Sequence, residues 1–421
     1  MDSRAFPGVP IGPRSIAGLL AILLSLAACG GTPAPSAVPS PNSTNTPLPT
    51  PIPTVPPRRI VGYFTSWGIY ERDYQAGDVP GDKLTHVNYA FANIDKDTLE
   101  CIRGDIWSDD ATLRQFPNVK EQFPHLKMLI SIGGWTWSGR FSDAALTEES
   151  RQRFVKSCVN LFLIRYKEVF DGVDIDWEFP VSGGMPGNVE RPEDRRNFTL
   201  LLQEFRRQLD ELGAQNGKHY FLTIAAPASP QLYANFEWGE LIQYLDWVNL
   251  MAYDFHGGWD KVTNFNAPLY ASAKDPSPPG LNVQAAVQAY LDAGIPPEKL
   301  VLGVPFYGRG WAGVVDVDHG LYQKSSYLPR GTWEAGVFDY KDLAANYVDQ
   351  KGYTRYWHDQ AQVPWLFNPE KGVFIAYEDP ESVALKADYV LSHHLGGMMF
   401  WELTADGGVL LDTIYWRLKS P

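Results

Sequence analysis

From Arg59 onward, short β-branched or aromatic runs alternate eight times with amphipathic stretches, and no other feature of the chain constrains its fold as tightly. The predicted strands are Ile60–Thr65, Leu84–Phe91, Lys127–Ile132, Gly172–Trp177, Tyr220–Ala225, Trp247–Ala252, Leu300–Pro305 and Gly397–Trp401. Helical patterns lie between them. The clearest are Glu149–Phe170, where Phe154, Cys158, Leu161 and Phe162 share one face, and Arg195–Leu212. Strands joined through helices pair in parallel, because each crossover returns the chain to the same end of the sheet. Repetition of that unit predicts an α/β fold closed into a (β/α)8, or TIM, barrel. An open doubly wound sheet is the alternative, and no glycine-rich nucleotide loop supports it.

The rhythm breaks once. Roughly 90 residues separate the seventh predicted strand from the eighth, where a single helix needs far fewer. The segment Ala312–Gly372 carries its own strand-like and helical pieces, among them Gly331–Gly336 and Tyr340–Val348. It reads as a small α+β insertion domain between strands 7 and 8, on the face where barrel active sites lie.

The strongest local signal is the run Phe170-Asp-Gly-Val-Asp-Ile-Asp-Trp-Glu-Phe-Pro180. Strand alternation puts Val173, Ile175 and Trp177 on one face and Asp174, Asp176 and Glu178 on the other. In a barrel the first set packs against helices and the second points inward. Inward carboxylates at ~7 Å intervals repel one another, and burial raises each pKa. An inward ion-pair network would need basic residues between them, and a metal site would call for a nearby His; the run has neither. Acid–base chemistry remains. Glu178 falls at the mouth of the barrel as a proton donor, and Asp176, one step deeper, can hydrogen-bond it. Retaining glycosidases ordinarily flank the scissile bond with carboxylates about 5–5.5 Å apart, one of them the nucleophile. Two acids from a single strand do not readily reach opposite faces of a sugar, so another group must act as nucleophile.

The run Asp171-Gly-Val-Asp-Ile-Asp-Trp-Glu178 resembles the DxxDxDxE signature of glycoside hydrolase family 18, the chitinases and their relatives. Ser131-Ile-Gly-Gly-Trp135 is similar to the family's SxGG motif on strand three. Asn249-Leu-Met-Ala-Tyr-Asp254, Gly303-Val-Pro-Phe-Tyr-Gly-Arg309 and Gly396-Gly-Met-Met-Phe-Trp-Glu402 resemble its motifs on strands six, seven and eight. The resemblance extends from Arg59 to the C-terminus, and the insertion resembles the chitinase insertion domain. It implies substrate-assisted, retaining hydrolysis of β-1,4 bonds in chitin or chito-oligosaccharides, with no metal or organic cofactor. The N-acetyl oxygen of the sugar would be the nucleophile. Glu178 would be acid and then base, Asp176 would orient the acetamido group, Asp174 would share a proton with Asp176, and Tyr253 would hydrogen-bond the acetamido oxygen. Asp254 and Met251 would line the same subsite above a floor made by Trp401. Tyr63, Trp135, Tyr307 and Arg309 are further candidates for sugar contact, with Trp67 near the end of strand one. Ser131, Gly133 and Gly134 are expected to serve backbone geometry. A non-catalytic chitin-binding lectin of the same fold is the alternative from another class, although such proteins typically lose the catalytic glutamate. A family member acting on peptidoglycan or N-glycan cores is the other.

The formal net charge of -13, without a long basic run, argues against a nucleic-acid partner. Arg4 and Arg14 precede an apolar run, Ile16–Ala28, too short for the ~20 residues of a membrane span. Residues 1–28 read as a signal peptide whose ending, Leu26-Ala-Ala-Cys29, resembles a bacterial lipobox, so Cys29 is expected to carry a lipid anchor at the cell surface. Residues 29–58 form a Pro/Ser/Thr-rich linker with almost nothing to bury. Cys101, in an expected loop, and Cys158, on an expected helix, read as two separate thiols, and a monomer is the default assembly.

Overall fold

The structure, a computed structural model, describes residues 58–419. The expected signal segment, Cys29 and all but the last residue of the linker lie outside the described residues. Eight strands, Arg59–Thr65, His86–Ile94, Lys127–Gly133, Gly172–Asp176, Phe221–Pro227, Trp247–Met251, Leu300–Pro305 and Gly397–Trp401, pair in parallel around a ring. The first is hydrogen-bonded to both the second and the eighth, which closes the barrel.

The two faces of the fourth strand separate as alternation requires. Trp177 is 2% exposed and stacks on Phe141 with ring centroids 5.3 Å apart, edge-on to Phe198 at 5.5 Å. Phe198 belongs to the long helix Asp194–Asn216, whose apolar face lies against the sheet. Inside the barrel, Val61, Tyr63, Ala90, Leu129, Trp247, Val301 and Met399 form a separate small core. The guanidinium of Arg59 lies 4.9 Å over Trp247 at the N-terminal end of the strands. Burial there pushes the His86 imidazole down to about 3, so it sits neutral against Trp247.

Three local expectations change. Cys101 lies on a short strand, Cys101–Arg103, antiparallel to the end of the second barrel strand, and not in a loop. The helix expected over Glu149–Phe170 runs as α-helix from Glu148 to Cys158, then as a wider π turn over Val159–Arg165, and ends there. Both thiols are free, as read from the sequence, and both are buried, but they are neighbours: burial first, and Cys101 second, push the Cys158 thiol well up.

The insertion is a five-stranded antiparallel sheet in the order Val337–Asp339, Tyr307–Ala312, Val373–Ala376, Val363–Asn368, Thr354–His358, with a short helix at Tyr340–Asn346. Trp311, Trp365, Phe367 and Phe374 form its core together with Phe265 from the loop after the sixth barrel strand. Its sheet reaches past the expected limits of 312 and 372 at both ends. Gly308 and Gly310 hide the first strand from a reading by β-propensity, since they leave only every second residue with a side chain to pack.

Candidate active site

Asp174 is wholly buried, and four donors converge on its carboxylate. Tyr63 and Ser131 hydroxyls donate to Oδ2, each at 2.8 Å, while Thr223 (2.5 Å) and the Asn249 amide (3.1 Å) donate to Oδ1. Asn249 is itself aimed by the Trp247 indole N–H, which donates to its Oδ1 at 2.9 Å. Burial raises the Asp174 carboxyl, and the four hydrogen bonds oppose that rise. Tyr63, expected to touch sugar, is 2% exposed with its hydroxyl engaged by Asp174, which places it beneath the site as a support. Ser131 likewise does more than shape the backbone. Gly133 and Gly134 do serve geometry: their φ values are 106° and 77°, and a Cβ on Gly133 would lie 2.3 Å from the Asp176 carbonyl oxygen.

Asp176 is the opposite case. Its Oδ1 is buried without a hydrogen-bond partner, and the bonds expected from it to Glu178 and to Asp174 are not formed. Burial, then the charges of Glu178 and Asp174, push Asp176 well above the usual carboxylate range. Glu178 is half-buried at the strand's C-terminal end. Burial first, and the charge of Asp254 second, push its carboxyl up to about 8. Its backbone is held from two sides: its N–H donates to Ser138 Oγ at 2.8 Å, and its carbonyl accepts from the Asn188 amide at 3.2 Å.

The sixth strand ends in Met251, and Tyr253 and Asp254 follow it. Met251, Tyr253 and Trp401 pack together on the inner core of the barrel. Burial pushes the Tyr253 hydroxyl well up, so it is a neutral donor, and it donates to the Met399 sulfur at 3.9 Å. Arg309 grips Asp254 bidentately, Nε to Oδ1 at 2.8 Å and the terminal nitrogen to Oδ2 at 2.6 Å. Tyr307 is 7% exposed, with its ring 6.3 Å from that of Tyr253, so it backs the site more than it lines it. Trp401 is half-buried among Tyr63 (5.4 Å), Phe91 (5.7 Å, stacked) and Trp67 (6.3 Å). Trp67 and Trp135 are open to solvent at 39% and 48%.

The structure therefore gathers Asp174, Asp176, Glu178, Tyr253, Asp254, Met251, Arg309 and Trp401 at the C-terminal mouth of the barrel. Sequence reading missed Ser138, Asn188, Thr223 and Asn266. Ser138 follows Gly133-Gly134-Trp135 closely enough for its place beside the catalytic strand to have been suspected; the other three give no local signal.

The model of glycosyl hydrolases family 18 matches residues 59–406. The chain belongs to that family. It is 45% identical to chitinase A1 of Niallia circulans over 86% of this chain, yet spans only 58% of that relative's length. It is 36% identical to chitinase 1 of Aphanocladium album, covering 82% of this chain and 80% of the other. Among solved structures, chitinase ChiA74 from Bacillus thuringiensis matches with a TM-score of 0.80 at 40% identity, over 86% of this chain and 69% of that one. A family 18 N-acetylglucosaminidase from Paenibacillus barengoltzii matches at 0.75 and 37% identity, over 86% and 99%. Family 18 membership makes the chain a glycoside hydrolase of the chitinase type.

Proposed function

We propose that this protein hydrolyses β-1,4 N-acetylglucosaminide bonds of chitin and chito-oligosaccharides with retention at the anomeric carbon, using the substrate's own acetamido group as nucleophile. The observation that carries the reading is the contrast along one strand. Asp174 is saturated with donors, Asp176 has a buried oxygen without a partner, and Glu178 holds a raised carboxyl at the mouth. Glu178, protonated near neutral pH, gives its proton to the leaving glycosidic oxygen. The acetamido oxygen attacks the anomeric carbon as that bond breaks, forming an oxazolinium ring. The unpartnered oxygen of Asp176 receives the acetamido N–H, while the Tyr253 hydroxyl donates to the acetamido oxygen. Trp401 offers an apolar face beneath the sugar ring. Glu178, now a carboxylate, takes a proton from the water that opens the oxazolinium and regains its starting state.

Glu178→Gln should cut turnover of a chromogenic chito-oligosaccharide by at least the 10²–10⁴-fold usual for a general acid, with ligand binding retained. Unchanged turnover would end the proposal. A product ladder from chito-oligosaccharides, read for the first-formed anomer, tests the rest: the β-anomer is expected, and an α-anomer excludes the acetamido route. Release of single sugars from the same ladder would mark exo-action, and release of longer products endo-action. We further propose export with a lipid at Cys29. Cys29→Ser should free the protein from membranes, and a soluble wild type would refute the anchor.

A further inference from the structure

Asn266 lies in the loop after the sixth strand and is 2% exposed. Its side chain uses both ends. Oδ1 accepts the Asp254 N–H at 2.8 Å, and Nδ2 donates to the Tyr307 carbonyl at 3.2 Å. Its own carbonyl accepts the Phe255 N–H at 3.1 Å. It thus ties the end of a barrel strand to the first strand of the inserted sheet, at Asp254 itself and at Tyr307, two residues before Arg309.

Asp254 needs that tie. Its φ is +55°, a left-handed conformation that a residue with a Cβ adopts only where its surroundings hold it. That backbone turn aims its carboxylate at Arg309, whose guanidinium is fixed in turn by the rings of Tyr307 (5.1 Å) and Trp259 (5.2 Å). The anchor is held on both sides. Phe265, one residue before, is buried in the insertion's core, and the carbonyl of Ala267, one after, accepts from the buried Lys386 ammonium at 2.6 Å.

We infer that Asn266 is a positioning residue for the reaction: it holds Asp254 in its left-handed turn so that the Asp254–Arg309 pair faces the acid Glu178. The inference rests on the proposed role of Glu178. The charged and titratable groups that face Glu178 are Asp176 on its own strand and Tyr253 and Asp254 from the end of the sixth. Arg309 and Tyr307, from the inserted sheet, stand behind Asp254. Released from Asn266, Asp254 relaxes toward an ordinary backbone conformation and its charge swings away from Glu178, which then gives up its proton at lower pH.

The test is kcat/KM against pH on a chromogenic chito-oligosaccharide for the wild type, Asn266→Ala, Asp254→Asn and the double variant. The alkaline limb, which reports the free enzyme's acid, should move down in Asn266→Ala by about half a pH unit or more. An unscreened charge within ~5 Å would give one to three units, and Arg309 cancels part of it. kcat should fall roughly tenfold with a smaller change in KM, as expected of a misplaced group. The double variant should share the alkaline limb of Asp254→Asn, because the two changes act through one carboxylate. A wild-type limb in Asn266→Ala, or shifts that add in full, would overturn the inference. If the alanine variant does not fold, Asn266→Ser keeps a polar group in the slot and reads the same profile. Failure of the Glu178 reading shows separately, as an active Glu178→Gln.

Discussion

Replacing Glu178 by Gln should destroy activity and, above neutral pH, stabilise the fold. Burial and the charge of Asp254 raise this carboxyl from 4.5 to about 8. A raised acid binds its proton more tightly folded than unfolded, so stability is greatest below the unfolded pKa and declines as pH climbs toward the folded one. A pH of 7 lies about 2.5 units above the ordinary value of 4.5 and still below the folded one, so at ~1.4 kcal/mol per unit the carboxyl costs the fold on the order of 3 kcal/mol there. An amide of the same shape has no such cost, though an imperfectly bonded amide returns about 1 kcal/mol of the gain. The net expectation is about 2 kcal/mol of added stability at pH 7 and about 3 kcal/mol at pH 8, turning into a loss of about 1 kcal/mol near pH 4, where only the amide penalty remains. Urea unfolding of both proteins at pH 4.5, 6 and 8 measures it, with equal m-values as the check on two-state behaviour. A difference that stays constant across those three pH values, or a variant less stable at pH 8, would refute the account of Glu178 as an acid held protonated against its surroundings.

Other expectations follow from named contacts. Tyr63→Phe removes one of the four donors on the buried Asp174 carboxylate and should cost about 1.5–3 kcal/mol in urea unfolding; a loss below about 0.5 kcal/mol would mean that the bond carries little. Trp401→Ala removes the half-buried indole packed on Tyr63 and Phe91. Ligand Kd should rise roughly tenfold, about 1.4 kcal/mol, in equilibrium binding to an inactive Glu178→Gln background, and unchanged binding would remove Trp401 from the sugar floor. Lys386→Met leaves the fully buried Glu378 without its cation and should destabilise by about 3–5 kcal/mol. Adding Glu378→Leu should recover most of the loss, and no recovery would show that packing, not charge, is at stake there.

The barrel was legible because each strand is short, apolar and followed by a helix of its own; the eight predicted strands and those observed differ only at their ends. The acid face was legible for the same reason, since alternation within Gly172–Asp176 needs no tertiary information. What sequence could not supply is where the second partner of each polar group comes from. Asp174 draws its donors from positions 63, 131, 223 and 249, each on a different strand, and nothing near any of them announces the meeting. Tyr63 is a candidate for sugar contact on sequence alone, but its place on a barrel strand does not set its depth, and the structure buries it under the site. The bond expected from Asp176 to Glu178 follows from their shared face, and the proton shared with Asp174 from the family resemblance; neither bond is formed, because a shared face does not fix how the carboxylates are turned. Asn266 lies in a loop whose composition reads only as a connection. Its importance is visible once the left-handed turn at Asp254 and the start of the inserted sheet are seen side by side.

The inserted sheet starts at Tyr307, a single residue after the seventh barrel strand ends at Pro305, and by Arg309 it already holds Asp254. The insertion is therefore not a module with a clean seam. Exchanging it at its borders would remove part of the catalytic mouth along with the wall, so a transplanted cleft would arrive with its chemistry broken. Room for variation lies farther out, in the turns between the inserted strands, for example residues 313–336, where Val315, Val317 and Tyr327 stand in solvent. Recombination or design aimed at cleft depth has those turns to work with, and the junction is closed to it.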